Sequence, residues 1–142
     1  AKAEDVAVEA AALYPNNQKI KYIFFSVPLF SPAVVLESVF KEVCPRHLVA
    51  GHTHLYTEKS IQHFCDEFGF QRLSEWWFGL DICDLFRSVC LSLPRADTEQ
   101  TALQAYWNNH FKPLIDDLQN VLDKARTCSE VHMLLGKEYA KR

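Results

Sequence analysis

The chain has 142 residues, a net charge of −3, and 49% hydrophobic and 13% aromatic content. That fits one packed domain burying roughly 70% of its unfolded surface and argues against disorder. No run of Lys or Arg marks a nucleic-acid face, no apolar stretch approaches the roughly 18–20 residues that span a bilayer, and Ala1–Ala12 has no basic leader, so no nucleic-acid partner, membrane span or signal peptide is expected.

Ala3–Tyr14 is alanine-rich with early acidic residues and reads as a helix, ended by Pro15-Asn16-Asn17. Lys21–Val27 is apolar, β-branched and aromatic without alternation, which suggests a strand covered on both faces and stopped by Pro28. Ser31-Pro32 is a helix start, serine as cap and proline in the first helical position. Val35, Val39 and Val43 then repeat along one face, with Leu36 and Phe40 beside them, up to Pro45. Cys44–Tyr56 is expected to be an ordered loop.

Thr57 is the next cap candidate. Ile61, Phe64, Cys65 and Phe68 fall on one helical face, Gly69 supplies a left-handed stop, and Phe70 is placed for the contact that accompanies it. Arg72–Phe78 reads as a strand and Asp81–Leu91 as a helix with Ile82, Leu85, Phe86 and Val89 on one side. Pro94–Asp97 is a turn. From Thr98 to Arg126 the residues Leu103, Trp107, Phe111, Leu114, Leu118, Leu122 and Ala125 form a seam along one long helix, kinked at Pro113. Val131–Leu135 is a last short strand. Five cysteines, an odd number with no Cys-x-x-Cys pair, argue against a disulfide framework and for a reducing cytoplasm.

Several segments carry a family resemblance. Phe25-Ser-Val-Pro28 resembles the end of the fifth strand of class I S-adenosylmethionine-dependent methyltransferases. Pro45-Arg-His47 with His52-Thr-His-Leu-Tyr-Thr57 resembles their polar loop, and Phe68-Gly-Phe70 the exit of the following helix. The resemblance runs from roughly Glu4 to Lys137. It implies an α/β fold, a partial Rossmann-like methyltransferase fold with a small mixed sheet of three strands packed by helices. Val131–Leu135 would then be the seventh strand, inserted antiparallel beside the fifth. The family's glycine-rich cofactor turn is not found: Gly51, Gly69, Gly79 and Gly136 lie too far apart to form one. The acidic residue that follows the family's second strand has no counterpart either. The chain is expected to begin just after the fourth strand, so no residue here is assigned to cofactor binding, although the intact family implies S-adenosylmethionine.

Candidate substrate-binding residues are His52, His54, Tyr56, Trp76, Trp77, Asp81, Asp84 and Arg87. His52 and His54 point the same way on an extended backbone. With Cys44 and His47 near, zinc ligation, substrate contacts and loop-stabilising hydrogen bonds are alternatives, and no metal site is assigned because the spacing matches no closed site. Tyr56, Trp76, Trp77 and Phe78 could wall a pocket or pack a core, and strand alternation puts the two tryptophans on opposite faces. Asp84 and Arg87 could pair as i, i+3 neighbours or meet a substrate. His63, Cys65 and Asp66 cannot converge as a triad on one helix.

Three functional readings are open. The first is a methyltransferase-related fragment or remnant unable to bind cofactor or transfer methyl groups alone. The second is a non-enzymatic homodimeric assembly module, pairing through the edge of Tyr22–Val27 that a missing fourth strand would leave open, with help from the long helix's seam. The third is a two-chain enzyme whose N-terminal half is another polypeptide. The acceptor is left open, since this fold serves many substrates.

Overall fold

A computed structural model describes residues 21–40, 54–93 and 98–137. The expected helix over Ala3–Tyr14, most of the loop over Cys44–Tyr56 and the turn at Pro94–Asp97 lie outside the described residues. The protein is a mixed α/β chain with a three-stranded sheet. Its residues gather into two compact units, one holding the sheet down to Trp76 with, among the described residues, one helix, the other holding Phe30–His52 and Trp77–Ser129.

In the first unit, β1 (Tyr22–Pro28) lies at one edge of the sheet and β2 (Phe70–Phe78) at the other. The last strand, β3 (Glu130–Lys137), inserts between them. It runs antiparallel to β1, in a register that opposes Tyr22 to Gly136 and Pro28 to Glu130. The reversed strand occupies the middle, so the sheet is antiparallel rather than the mixed one expected. Lys137 N–H donates to the Lys21 carbonyl at 3.0 Å. Alternate residues from Lys21 therefore bond to β3, while Tyr22, Phe24 and Ser26 turn their N–H and C=O groups to the outer edge. Pro28 has no N–H, and its outward carbonyl accepts from Tyr56 N–H at 3.0 Å.

β1 alternates in burial, contrary to coverage on both faces: Tyr22 is 64% and Phe24 68% exposed. The covered face of the sheet carries Val131, Met133 and Leu135, all buried. One helix of this unit, α2 (Glu58–Phe68), starts and stops where local chemistry dictates. Thr57 Oγ1 accepts from Ser60 N–H at 3.2 Å while Ser60 Oγ accepts from Thr57 N–H at 2.8 Å, a reciprocal cap of about 1 kcal/mol. Gly69 ends the helix at φ 67°, where a side chain would be strained. Ile61 and Cys65 are buried, and Phe64 stacks between Phe25 and Phe70 with centroids at 5.7 and 6.0 Å. Fully burying Ile61 contributes about 2 kcal/mol. Arg72 bridges Glu58 and Glu75, each at 3.3 Å.

The second unit is helical. Ser31 caps α1 (Pro32–Val39), accepting from Ala33 N–H at 3.2 Å. Its buried residues are Ala33 and Val34, whereas Val35 and Val39 of the expected face are exposed. Next comes α3 (Asp81–Ser92). The expected long helix is two: α4 (Thr98–His110) and α5 (Ile115–Lys124), separated by a 3-10 turn at Lys112–Leu114. Pro113 lacks an N–H, and the tighter turn rotates α5 relative to α4. Ile115 and Gln119 turn inward, one residue later than Leu114 and Leu118, which are exposed, while Leu122 of the expected seam is half-buried and Leu103, ahead of Pro113, is exposed. Phe86, Trp107 and Phe111 stack, and Trp107 Nε1–H donates to the Phe86 carbonyl at 3.3 Å. Among the described residues no helix is long and apolar enough to cross a membrane.

Candidate functional site

Three connections carry the chain between sheet and helices: Leu29–Ser31 after β1, Gly79-Leu80 after β2, and Arg126–Ser129 before β3. One carboxylate ties them together. Asp81, only 1% exposed, accepts from Ser31 Oγ–H at 2.6 Å and Ala33 N–H at 3.2 Å through Oδ1. Its Oδ2 accepts from Ser129 N–H at 2.9 Å and Gln119 Nε2–H at 3.4 Å. All four partners are uncharged. The charge is held by dipoles instead, those of the donors and the amino terminus of α3, whose first residue is Asp81 itself.

Gly79 completes the junction. A Cβ there would stand 2.5 Å from both Asp81 Oδ2 and Ser129 Oγ, so only glycine lets the strand pass. Gln119 is oriented from both sides, donating also to Asp123 Oδ1 at 2.8 Å and accepting from Ile82 N–H at 3.0 Å.

Beside this junction opens a cleft of about 510 Å³. Phe30, Pro32, Val35 and Leu36 form its apolar wall, and Arg126 and Thr127 close the opposite side. Arg126 has φ 56°, unlike every other described non-glycine residue, and its guanidinium lies over the Trp77 ring, 5.2 Å from the centroid. The backbone there is a Schellman ending of α5: Thr127 N–H donates to the Leu122 carbonyl at 3.0 Å and Arg126 N–H to the Asp123 carbonyl at 3.1 Å.

The sequence candidates do not share one place. Tyr56 sits against the end of β1, edge-on to Phe25 at 5.7 Å, and burial raises its phenol pKa. His54 is partly buried two residues before it. Trp76 lies on the outer sheet face, where it and Phe24 flank His132 edge-on at 5.5 Å each. Trp77, next in the strand, carries Arg126 instead. Asp81 is the buried tie described above, with its carboxylate turned to protein donors rather than to an external ligand. Asp84 stands in the first turn of α3, and Arg87 is exposed on the same helix. His52, with Cys44 and His47, lies outside the described residues. Among the described residues no three His, Cys, Asp or Glu side chains converge on a metal position.

Sequence reasoning missed Arg126, Gln119 and Ser129. The signal for Arg126 was a helix pattern that ends at Ala125 with no glycine to stop it. In comparisons with known proteins, no family model, no curated protein and no solved structure matches the chain.

Proposed function

We propose that these 142 residues are methyltransferase-related, forming the acceptor-side half of a class I Rossmann-like fold. The observation that carries this reading is the strand order β1-β3-β2, with the last strand reversed between the other two. The resemblance of Phe25–Pro28, His52–Thr57 and Phe68–Phe70 implies that insertion. Among the described residues, the glycines do not fit the family's cofactor turn. Gly69 is a helix stop, Gly79 is filled by Asp81 and Ser129, and Gly136 abuts Leu73 inside β3. None of these three can bring backbone N–H groups to a nucleotide, so no methyl-transfer step is assigned to this chain. Its part is to shape the acceptor's surroundings for a cofactor-bearing half. Calorimetric titration of the chain with S-adenosylmethionine is expected to give no binding heat, and micromolar one-to-one binding would overturn the reading.

A second reading, a homodimeric assembly module, is favoured by the outer edge of β1. Tyr22, Phe24 and Ser26 direct backbone donors and acceptors there, beside exposed aromatic side chains. Such an edge is a template for pairing with another copy.

A further inference from the structure

We infer that β1 takes a second copy of this chain in one register, antiparallel and with the two-fold axis at Phe24. This rests on the homodimeric reading of the edge and gives that reading its geometry. A two-fold axis normal to a sheet brings identical edges together with their strands antiparallel. Residues whose N–H and C=O both face the new neighbour then exchange two hydrogen bonds with the residue they oppose. In β1 those residues are Tyr22, Phe24 and Ser26, because the alternate set bonds to β3.

The open stretch of edge has two ends. At one, the Pro28 carbonyl already accepts from Tyr56 N–H, Leu29 bridges Tyr56, and the proline has no N–H to offer. At the other, the strand begins at Tyr22. Only a pairing centred on Phe24 keeps all three outward residues matched within those limits. Phe24 then opposes the partner's Phe24, and Tyr22 of each copy opposes Ser26 of the other. Centred on Phe25, the pairing would set Tyr22 against Pro28. Centred on Ile23, it would carry Ser26 beyond the start of the strand.

The side chains fit the same pairing. Edges that resist association carry Lys or Pro or break at a bulge. The three outward positions carry neither residue, and the ladder to β3 runs unbroken from Tyr22 to Pro28. None of the three is charged, so self-pairing sets no like charges opposite each other. All three are exposed on the outer sheet face. Phe24 lies edge-on to His132 at 5.5 Å, and Trp76 flanks the same imidazole at 5.5 Å. The partner's Phe24 would meet Phe24 on the side away from His132, extending one aromatic row across both copies.

The test is oxidative cross-linking of the full chain, run beside light scattering. Phe24→Cys sets two thiols directly opposite each other, with Cα atoms about 5.5 Å apart, within disulfide reach. Tyr22→Cys and Ser26→Cys each stand about 13 Å along the strand from their own copy, but opposite one another. Each should therefore fail to cross-link alone and succeed when the two variants are diluted, mixed and concentrated together. That mixture retains Phe24, so it holds even if the cysteine at 24 weakens the dimer. Phe24→Cys and the mixture should form disulfide dimers at least about tenfold faster than Tyr22→Cys alone, Ser26→Cys alone or the unaltered chain, whose own cysteines set the background. A light-scattering dimer in which neither exceeds background, or in which Tyr22→Cys or Ser26→Cys alone does so, would overturn the register and leave the homodimeric reading standing. A monomer would remove both.

Discussion

Replacing Asp81 tests whether one buried carboxylate holds the three connections in place. In Asp81→Ala, Ala33 N–H keeps Ser31 Oγ at 3.2 Å and Gln119 keeps Asp123 at 2.8 Å. Ser129 N–H and the Ser31 hydroxyl lose their acceptor, at 2.9 and 2.6 Å respectively, and both residues are buried. Each stranded donor costs about 1–3 kcal/mol, so the loss is about 4 kcal/mol, partly offset where the serine hydroxyl rotates to another acceptor. Asp81→Asn behaves differently. Its oxygen can face Ser129 and Gln119 while its amide donates to Ser31 Oγ, which can accept as well as donate. The charge-assisted part is lost and the Ser31 hydroxyl must turn to another acceptor, about 2 kcal/mol in all.

Urea unfolding followed by tryptophan fluorescence and far-ultraviolet circular dichroism would measure both variants, with coincident transitions required before free energies are compared. The expected order is wild type, then Asn, then Ala, with Ala at least about 2 kcal/mol below Asn. Asn and Ala equally destabilised, or Ala within about 1 kcal/mol of wild type, would refute the account of four convergent donors. A cycle with Ser31→Ala adds a second check, because the Asp81–Ser31 contact should couple by about 1 kcal/mol or more.

The first unit gives two further expected outcomes. Burial pushes the Cys65 thiol above its ordinary value, with Arg72 pulling partly the other way, and burial likewise raises Tyr56. Both groups are favoured neutral in the fold, so their contribution is full below the unfolded values of roughly 8.5 and 10 and is lost as pH rises through the folded ones. The urea midpoint should therefore decline above about pH 8.5, and a midpoint constant to about pH 10.5 would contradict it. If the outer edge of β1 pairs two copies, light scattering should give a dimer at tens of micromolar. Ser26→Pro should dissociate it without unfolding the sheet, because that N–H faces away from β3; a stable monomer of the unaltered chain removes the pairing.

What the sequence disclosed was chemistry confined to a few neighbouring residues. Ser31-Pro32, Thr57 and Gly69 mark helix ends in the sequence and do so in the structure, because cap and partner lie within a few positions. Coverage of β1 was misread because Tyr22 and Phe24 are as apolar as Ile23 and Phe25, so residue type hid an alternation that burial displays. The seam through Leu114 and Leu118 failed at Pro113, where a turn of different pitch rotates the next helix. Asp81 read as a candidate for substrate binding, and carboxylates are seldom buried. Its partners Ser31 and Ser129 lie 50 and 48 positions away, beyond any local pattern.

The tie and the strained arginine explain each other. A buried carboxylate bonded only to uncharged donors is a poor source of net stability, since desolvation consumes much of what the hydrogen bonds return. Its effect is positional: Ser31, Gln119 and Ser129 are fixed to one point, and with them the start of α1, the middle of α5 and the entry to β3. A residue at unfavourable φ persists only where its surroundings over-determine it. Arg126 lies between two of those fixed points, seven residues after Gln119 and three before Ser129, with its own N–H and that of Thr127 bonded back into α5. The chain there cannot relax without breaking the Schellman bonds or pulling Ser129 from Asp81. The buried acid thus secures the backbone that holds an exposed cation against Trp77, at the edge of an apolar cleft.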